Sequence, residues 1–343
     1  MGFYREARDD GTEDDHMWFI MALLTMLAWG SADLFYKKSS DSEDRYSHLK
    51  IAVWVGLVMG VCAFVMMPFA ETEMTPGTLF ANALKYTPAS LSYIISMVIG
   101  YAGMRYLEIS IISPVQNASG ALSAIAMTVF FLITGRFTSI TEEFSALDLI
   151  GTLLIVAGVI ALAIVEKKLG EKELEKTESA EEKKKRKKLA TGALALLFPI
   201  TYCIFDTIGT AADGIILDGE KGMGLGEIDV LILYGLTFFL AGIVAWIFML
   251  IKTKKPYNPF AVREIRTKGV AAVFEEAGQI FYVYAMAAKP VVAAPMVAAY
   301  CIVSVILSRI FIKEKLTAAQ YACVAAVIVG IVMLGISEGL AEA

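Results

Sequence analysis

The chain is poor in charge for its length. Of 343 residues only 19% are Asp, Glu, Lys or Arg while 57% are apolar, and the mean hydropathy is +0.64. Soluble domains carry roughly 25% charged and about 45–50% apolar residues, so a water-soluble α/β enzyme is excluded. Cysteine is scarce too. Cys62, Cys203, Cys301 and Cys323 all fall inside apolar runs and form no CxxC pair, which leaves no disulfide framework or zinc site and makes them packing residues. The two histidines, His16 and His48, lie outside the apolar runs. Without a Ser-His pair, an HExxH or a paired-Asp constellation at membrane depth, an intramembrane hydrolase has no residues to use, and no cofactor is called for. A net charge of −5 with no folded basic face argues against nucleic acid. The first sixteen residues lack an apolar h-region, and Glu6 stands where a myristoylation signal needs Ser or Thr. Neither a cleaved signal nor a lipid anchor is expected.

What the sequence does contain is ten apolar runs, at 17–36, 51–70, 90–107, 113–134, 146–165, 189–209, 230–251, 270–288, 291–312 and 318–336. About 20 apolar residues cross a hydrocarbon core as a helix, and in lipid every backbone polar group must be paired within its own segment. The fold class expected is therefore all-α integral membrane, with about ten transmembrane helices. The one long charged stretch, Glu166 to Leu189, divides the chain in half. Its Lys183–Lys188 run reads as a solvated linker drawn to anionic headgroups rather than a nuclear signal.

The halves align. One constant shift superposes Glu142 on Glu314, Ser145 on Thr317, Asp148 on Gln320 and Gly158 on Gly330. Ser145–Asp148 and Thr317–Gln320 both have the form of a helix-opening capping box. Near the front of each half, Trp29 and Asp33 find counterparts in Tyr202 and Asp206. Each half holds five spans, so two copies joined by short loops insert in opposite orientation, the arrangement that carriers use for alternating access. The domains expected are a polar tail over 1–16, a first five-helix repeat over 17–166, a charged linker over 167–188, a second repeat over 189–337 and a tail over 338–343.

With these residues the sequence resembles the drug/metabolite transporter superfamily, in its ten-helix type with two EamA-like domains. The resemblance rests chiefly on Glu314, Leu316, Thr317, Gln320 and Gly330, which look like the opening of the last helix of such a domain. Trp29-Gly30, Tyr284-Ala285, Pro114 and Pro295 are weaker matches. It implies a carrier of small polar metabolites that works by proton coupling or exchange, without ATP.

A charge at the bilayer centre costs about 2.5 kcal/mol or more, so carboxylates there face a bundle interior or a wet cavity. Glu275 and Glu276 lie mid-span in VFEEAGQIFYVYA, with Gln279 one turn beyond Glu275 on the same face. Adjacent helical residues point about 100° apart, so one glutamate lines a cavity and the other packs; the sequence leaves open which. With no histidine in a span, a coupling proton would have to use these carboxylates. Asp33 and Asp206 come late in their runs, near opposite faces if the halves are inverted, and read as gates or as carboxylates reaching interface water. Trp29 and Tyr202 either wall the cavity or pack. Gln116 and Asn117, after Pro114, are candidate cavity residues, and the GxxxG at Gly56 and Gly60 reads as helix packing. Lys and Arg gather in loops on the side away from the termini, which by the positive-inside rule puts both termini outside, whereas the resembled family is drawn with them inside. The reading is a multi-pass carrier in the plasma or inner membrane for a small polar or zwitterionic solute; a non-transporting receptor or scaffold is the alternative.

Overall fold

The computed structural model describes residues 17–39, 44, 46–106, 118–177, 193–254, 257–312 and 316–341, and these are helical apart from connecting turns. In chain order the long helices are α1 (Met17–Ser39), α2 (Ser47–Met66), α3 (Pro76–Tyr106), α4 (Ser119–Ile133), α5 (Ala146–Thr177), α6 (Ala193–Ile216), α7 (Glu227–Thr253), α8 (Val270–Ala288), α9 (Pro290–Ala298), α10 (Tyr300–Leu307) and α11 (Ala318–Ala341). Among the described residues six segments are long and apolar enough to cross a membrane: α1, α2, α5, α7, the α9–α10 pair and α11. The helix α8 is less apolar because it carries Glu275, Glu276 and Gln279. Large apolar side chains such as Leu153, Val244 and Ile251 are about two-thirds exposed on the outside of the bundle. In water that would be untenable, and it is what a lipid-facing surface requires.

Some boundaries differ from the apolar runs. The run at 90–107 belongs to a helix that begins fourteen residues earlier, at Pro76. Thr75 stands before it as a cap, its hydroxyl accepting the Thr78 amide at 3.3 Å, and a proline is well placed at the first helical position. Lys85 and Asn82 hide that start from a hydropathy reading. The helix α5 runs on to Thr177 through a stretch rich in Glu and Lys, both good helix formers. The run at 291–312 is broken at Ala299, where the turn tightens to Ala299 N–H on Met296 O at 3.1 Å and Ile302 N–H on Ala299 O at 2.9 Å. Ala299 carries no sequence signal for a break.

The helices pack pairwise: α2 on α7, α1 on α8, α3 on α6, α4 on α9 and α5 on α11. Small residues permit the closest crossings. A Cβ on Gly330 would meet the Gly151 carbonyl oxygen at 2.7 Å, and one on Gly151 would meet the Gly330 carbonyl oxygen at 2.9 Å. Likewise, Gly56 stands against Gly242.

Both helix-opening boxes close as the sequence predicts. The Ser145 amide donates to Asp148 Oδ2 at 3.0 Å and the Asp148 amide to Ser145 Oγ at 3.1 Å; Thr317 and Gln320 repeat the exchange at 2.9 and 3.3 Å. Ser145 Oγ also meets Ser337 Oγ at 2.7 Å, tying the start of α5 to the end of α11. Ser145→Ala is expected to cost about 1 kcal/mol, the usual worth of such a cap, read as a lower midpoint in thermal unfolding of the purified protein.

Candidate functional site

Regular helical spacing brings one polar stripe from each of several helices to a common centre. Trp29, Asp33 and Tyr36 repeat at i, i+4 and i+7 on α1, as do Glu275, Gln279 and Tyr282 on α8, while Tyr202, Asp206 and Thr210 follow at i, i+4 and i+8 on α6. These residues share one cavity of about 150 Å³ with Tyr93 of α3, Ser119 of α4, Tyr234 of α7 and Tyr300 of α10. Among the described residues no Lys, Arg or His lines it. The broken α9–α10 segment contributes Ala294, Val297 and Ala298 as its smooth wall.

The geometry separates the two adjacent glutamates. Glu275 is half-buried and opens into the cavity, with the Tyr36 hydroxyl facing its carboxyl. Glu276 is only 6% exposed, points away toward α2 and pairs with the Cys62 thiol. The backbone oxygen of Glu275 accepts the Trp29 indole N–H at 3.1 Å, and that ring lies on Gly278, where a Cβ would have no room. This contact fixes α1 against α8 and holds the Trp29 ring at the cavity wall, 5.2 Å from the ring of Tyr282 and 6.0 Å from that of Tyr300 between centroids.

The late positions of Asp33 and Asp206 in the apolar runs predict opposite membrane faces, but the structure brings both to the same cavity. The reason is helix length: α6 continues to Ile216, seven residues past the end of its run, so Asp206 falls near its middle. Asp33 Oδ2 accepts the Ser304 hydroxyl at 2.8 Å, and Ser119 at the start of α4 reaches Asp206. Trp29 and Tyr202 line the cavity with them, as does Gln279. Gln279 is 2% exposed, and its Nε2 has no hydrogen-bond partner among the described residues. An unpaired buried amide donor is costly, so this one is suited to meet an acceptor on a bound solute. Gln116 and Asn117 lie outside the described residues.

Asp213 does not figure in the sequence reading. It is wholly buried one step below the cavity, with Oδ1 accepting the Tyr86 hydroxyl at 2.7 Å. The hydroxyls of Tyr93 and Tyr282 also reach it; they lie 2.5 Å from each other, and Tyr93 donates to Thr210 Oγ1 at 3.1 Å. A hydrogen-bonded column thus descends from the cavity. Its signal was available in the sequence, because Asp206 and Asp213 are seven apart on one helical face and so are Tyr86 and Tyr93, but ending the sixth run at Gly209 conceals it. Outside the spans, Lys268 Nζ meets Glu264 Oε2 at 2.9 Å and Tyr257 donates to the same oxygen at 2.8 Å, bracing the turn that leads into α8. Partial burial pushes the Glu264 carboxyl up, but the hydrogen bonds from Lys268 and Tyr257 and the Lys268 charge outweigh it and hold the group below the usual carboxylate range.

Residues 221–336 match the EamA-like transporter family. No curated protein matches the chain. Several solved structures do, among them a protein known from a crystal structure; it is 11% identical, superposes with a TM-score of 0.60 and pairs 92% of this chain with 96% of its own. At that identity the likeness speaks for the fold alone. With an all-helical bundle and six segments among the described residues long and apolar enough for a bilayer, the chain is a multi-pass membrane protein that carries, over residues 221–336, a match to the EamA-like transporter family.

Proposed function

We propose that the protein is a secondary carrier that moves a small polar solute through the cavity around Glu275 by alternating access, in the plasma or inner membrane. Its ten spans form two inverted five-helix repeats, 17–166 and 189–337, joined by the charged linker 167–188 with its anionic lipid contacts. The observation that carries this reading is a reciprocity in the packing. Gly151 meets Gly330 while Gly158 meets Cys323, and the sequence alignment that equates Gly151 with Cys323 and Gly158 with Gly330 maps one contact onto the other. The helix pairs behave likewise: α1 on α8 corresponds to α6 on α3, and α2 on α7, α4 on α9 and α5 on α11 each map onto themselves. That is the pattern expected of a pseudo-two-fold axis, and the cavity takes the equivalent residues Asp33 and Asp206 from the two halves, which supports a solute site between the repeats, where inverted-repeat carriers bind.

Asp33, Asp206 and Glu275 supply the groups that a coupling proton would occupy, and exchange of one solute for another needs no further residue. Purified protein in liposomes is expected to support counterflow of at least one labelled compound from a panel of amino acids, sugars, nucleotides and organic cations. A receptor or scaffold gives no flux with any of them, and that outcome would sink the proposal.

A further inference from the structure

We infer that the solute is an organic cation that also carries a hydrogen-bond acceptor. This rests on the carrier reading and narrows it, for the sequence alone allows a zwitterion as readily. Three carboxyls, Asp33, Asp206 and Glu275, face one cavity, and among the described residues its lining holds no basic side chain. An anionic solute would meet like charge there. A zwitterion would seat its ammonium well but leave its carboxylate with no cation to answer it, and desolvating an unpaired charge is expensive. A cation instead meets an acidic group on three of the helices that line the cavity.

The walls add a second and independent argument. The Trp29 ring stands 5.2 Å from that of Tyr282 and 6.0 Å from that of Tyr300 between centroids, with Tyr202 also on the lining, an aromatic wall of the kind that attracts ammonium groups through the ring faces. The carboxyls do not converge on a point: among the described residues no group of His, Cys, Asp and Glu is placed to hold a metal ion, so the charge they meet is spread over a larger body. A cavity of about 150 Å³ takes a molecule of roughly benzene's size. The buried Nε2 of Gln279, without a partner among the described residues, requires an acceptor, and a hydroxyl or carbonyl on the cation supplies it.

The test uses full-length protein and two matched sets of probes that differ in charge: choline, 3,3-dimethylbutan-1-ol and glycine betaine, and tyramine, tyrosol and tyrosine. Thermal stabilisation and flux into liposomes are read for each. At least one of the two cations is expected to half-saturate at a concentration tenfold or more below its neutral and zwitterionic counterparts. Asp206→Asn is expected to remove that preference. Gln279→Leu, similar in volume, should weaken choline or tyramine about tenfold and leave tetramethylammonium, which has no acceptor and fits the cavity, unchanged. The unfolding midpoint of each variant without ligand establishes that it is folded; should Asp206→Asn fail there, Gln279→Leu and the wild-type charge preference decide. Equal or better binding of the neutral or zwitterionic probe overturns the cation assignment, as does failure of both cations to bind. Flux confined to anionic or zwitterionic solutes removes the assignment and leaves the carrier reading standing, whereas absence of flux for every charge class removes both.

Discussion

Glu275→Gln is expected to lower solute flux by between about thirtyfold and a few thousandfold while leaving the fold intact. The side chain keeps its shape and loses only its charge. Removing one partner of a desolvated charge pair costs about 2 to 5 kcal/mol, and each 1.4 kcal/mol is about tenfold. Glu275 is the carboxyl that opens into the cavity opposite Tyr36, and it stands one turn from Gln279 on the same face. Glu276→Gln provides the comparison. That carboxyl points toward Cys62 on α2 and does not line the cavity, so its loss should cost far less flux. Rates measured in liposomes at matched protein density decide the matter; equal losses from the two changes would mean that the cavity is not the solute's path.

Gly330→Leu is expected to be the most damaging single change to stability. The side chain would start at a Cβ only 2.7 Å from the Gly151 carbonyl oxygen and 2.8 Å from Ile155 Cγ1, in the interface of α5 and α11. Overpacking of this sort costs about 1 to 3 kcal/mol and occasionally more, and because the nearest obstacle is backbone it cannot be relieved by a rotamer change. Replacing glycine within a helix returns at most about 1 kcal/mol of propensity, too little to offset the clash. Gly339→Ala, on the same helix with nothing within 4 Å of the new Cβ, should show the opposite sign and raise the midpoint slightly. Both are measured as unfolding midpoints in one detergent. A Gly330→Leu protein as stable as wild type would show that the two closing helices do not meet there.

Much of this protein is set by the order of its residues alone. The apolar runs, together with the need to pair every backbone group in lipid, require helices whatever their neighbours. The boxes at Ser145–Asp148 and Thr317–Gln320 fix where two of them begin, since a cap is a contact within four residues of chain. The acidic pair on α8 is conspicuous because charge is costly at that depth. What tertiary structure decided was direction and company. Helical spacing puts Glu275 and Glu276 about 100° apart, but only the packing of α1 against one side of α8 and α2 against another makes the first a cavity group and the second a partner of Cys62. Asp33 and Asp206 lie far apart in sequence, and their runs suggest separate ends of the molecule; the extra turns of α6 and the crossing of paired helices bring them together. Tyr93, Tyr234, Tyr282 and Tyr300 look like ordinary packing residues one at a time. They become a wall only where separate helices converge, because a cavity belongs to the spaces between segments and no single segment encodes it.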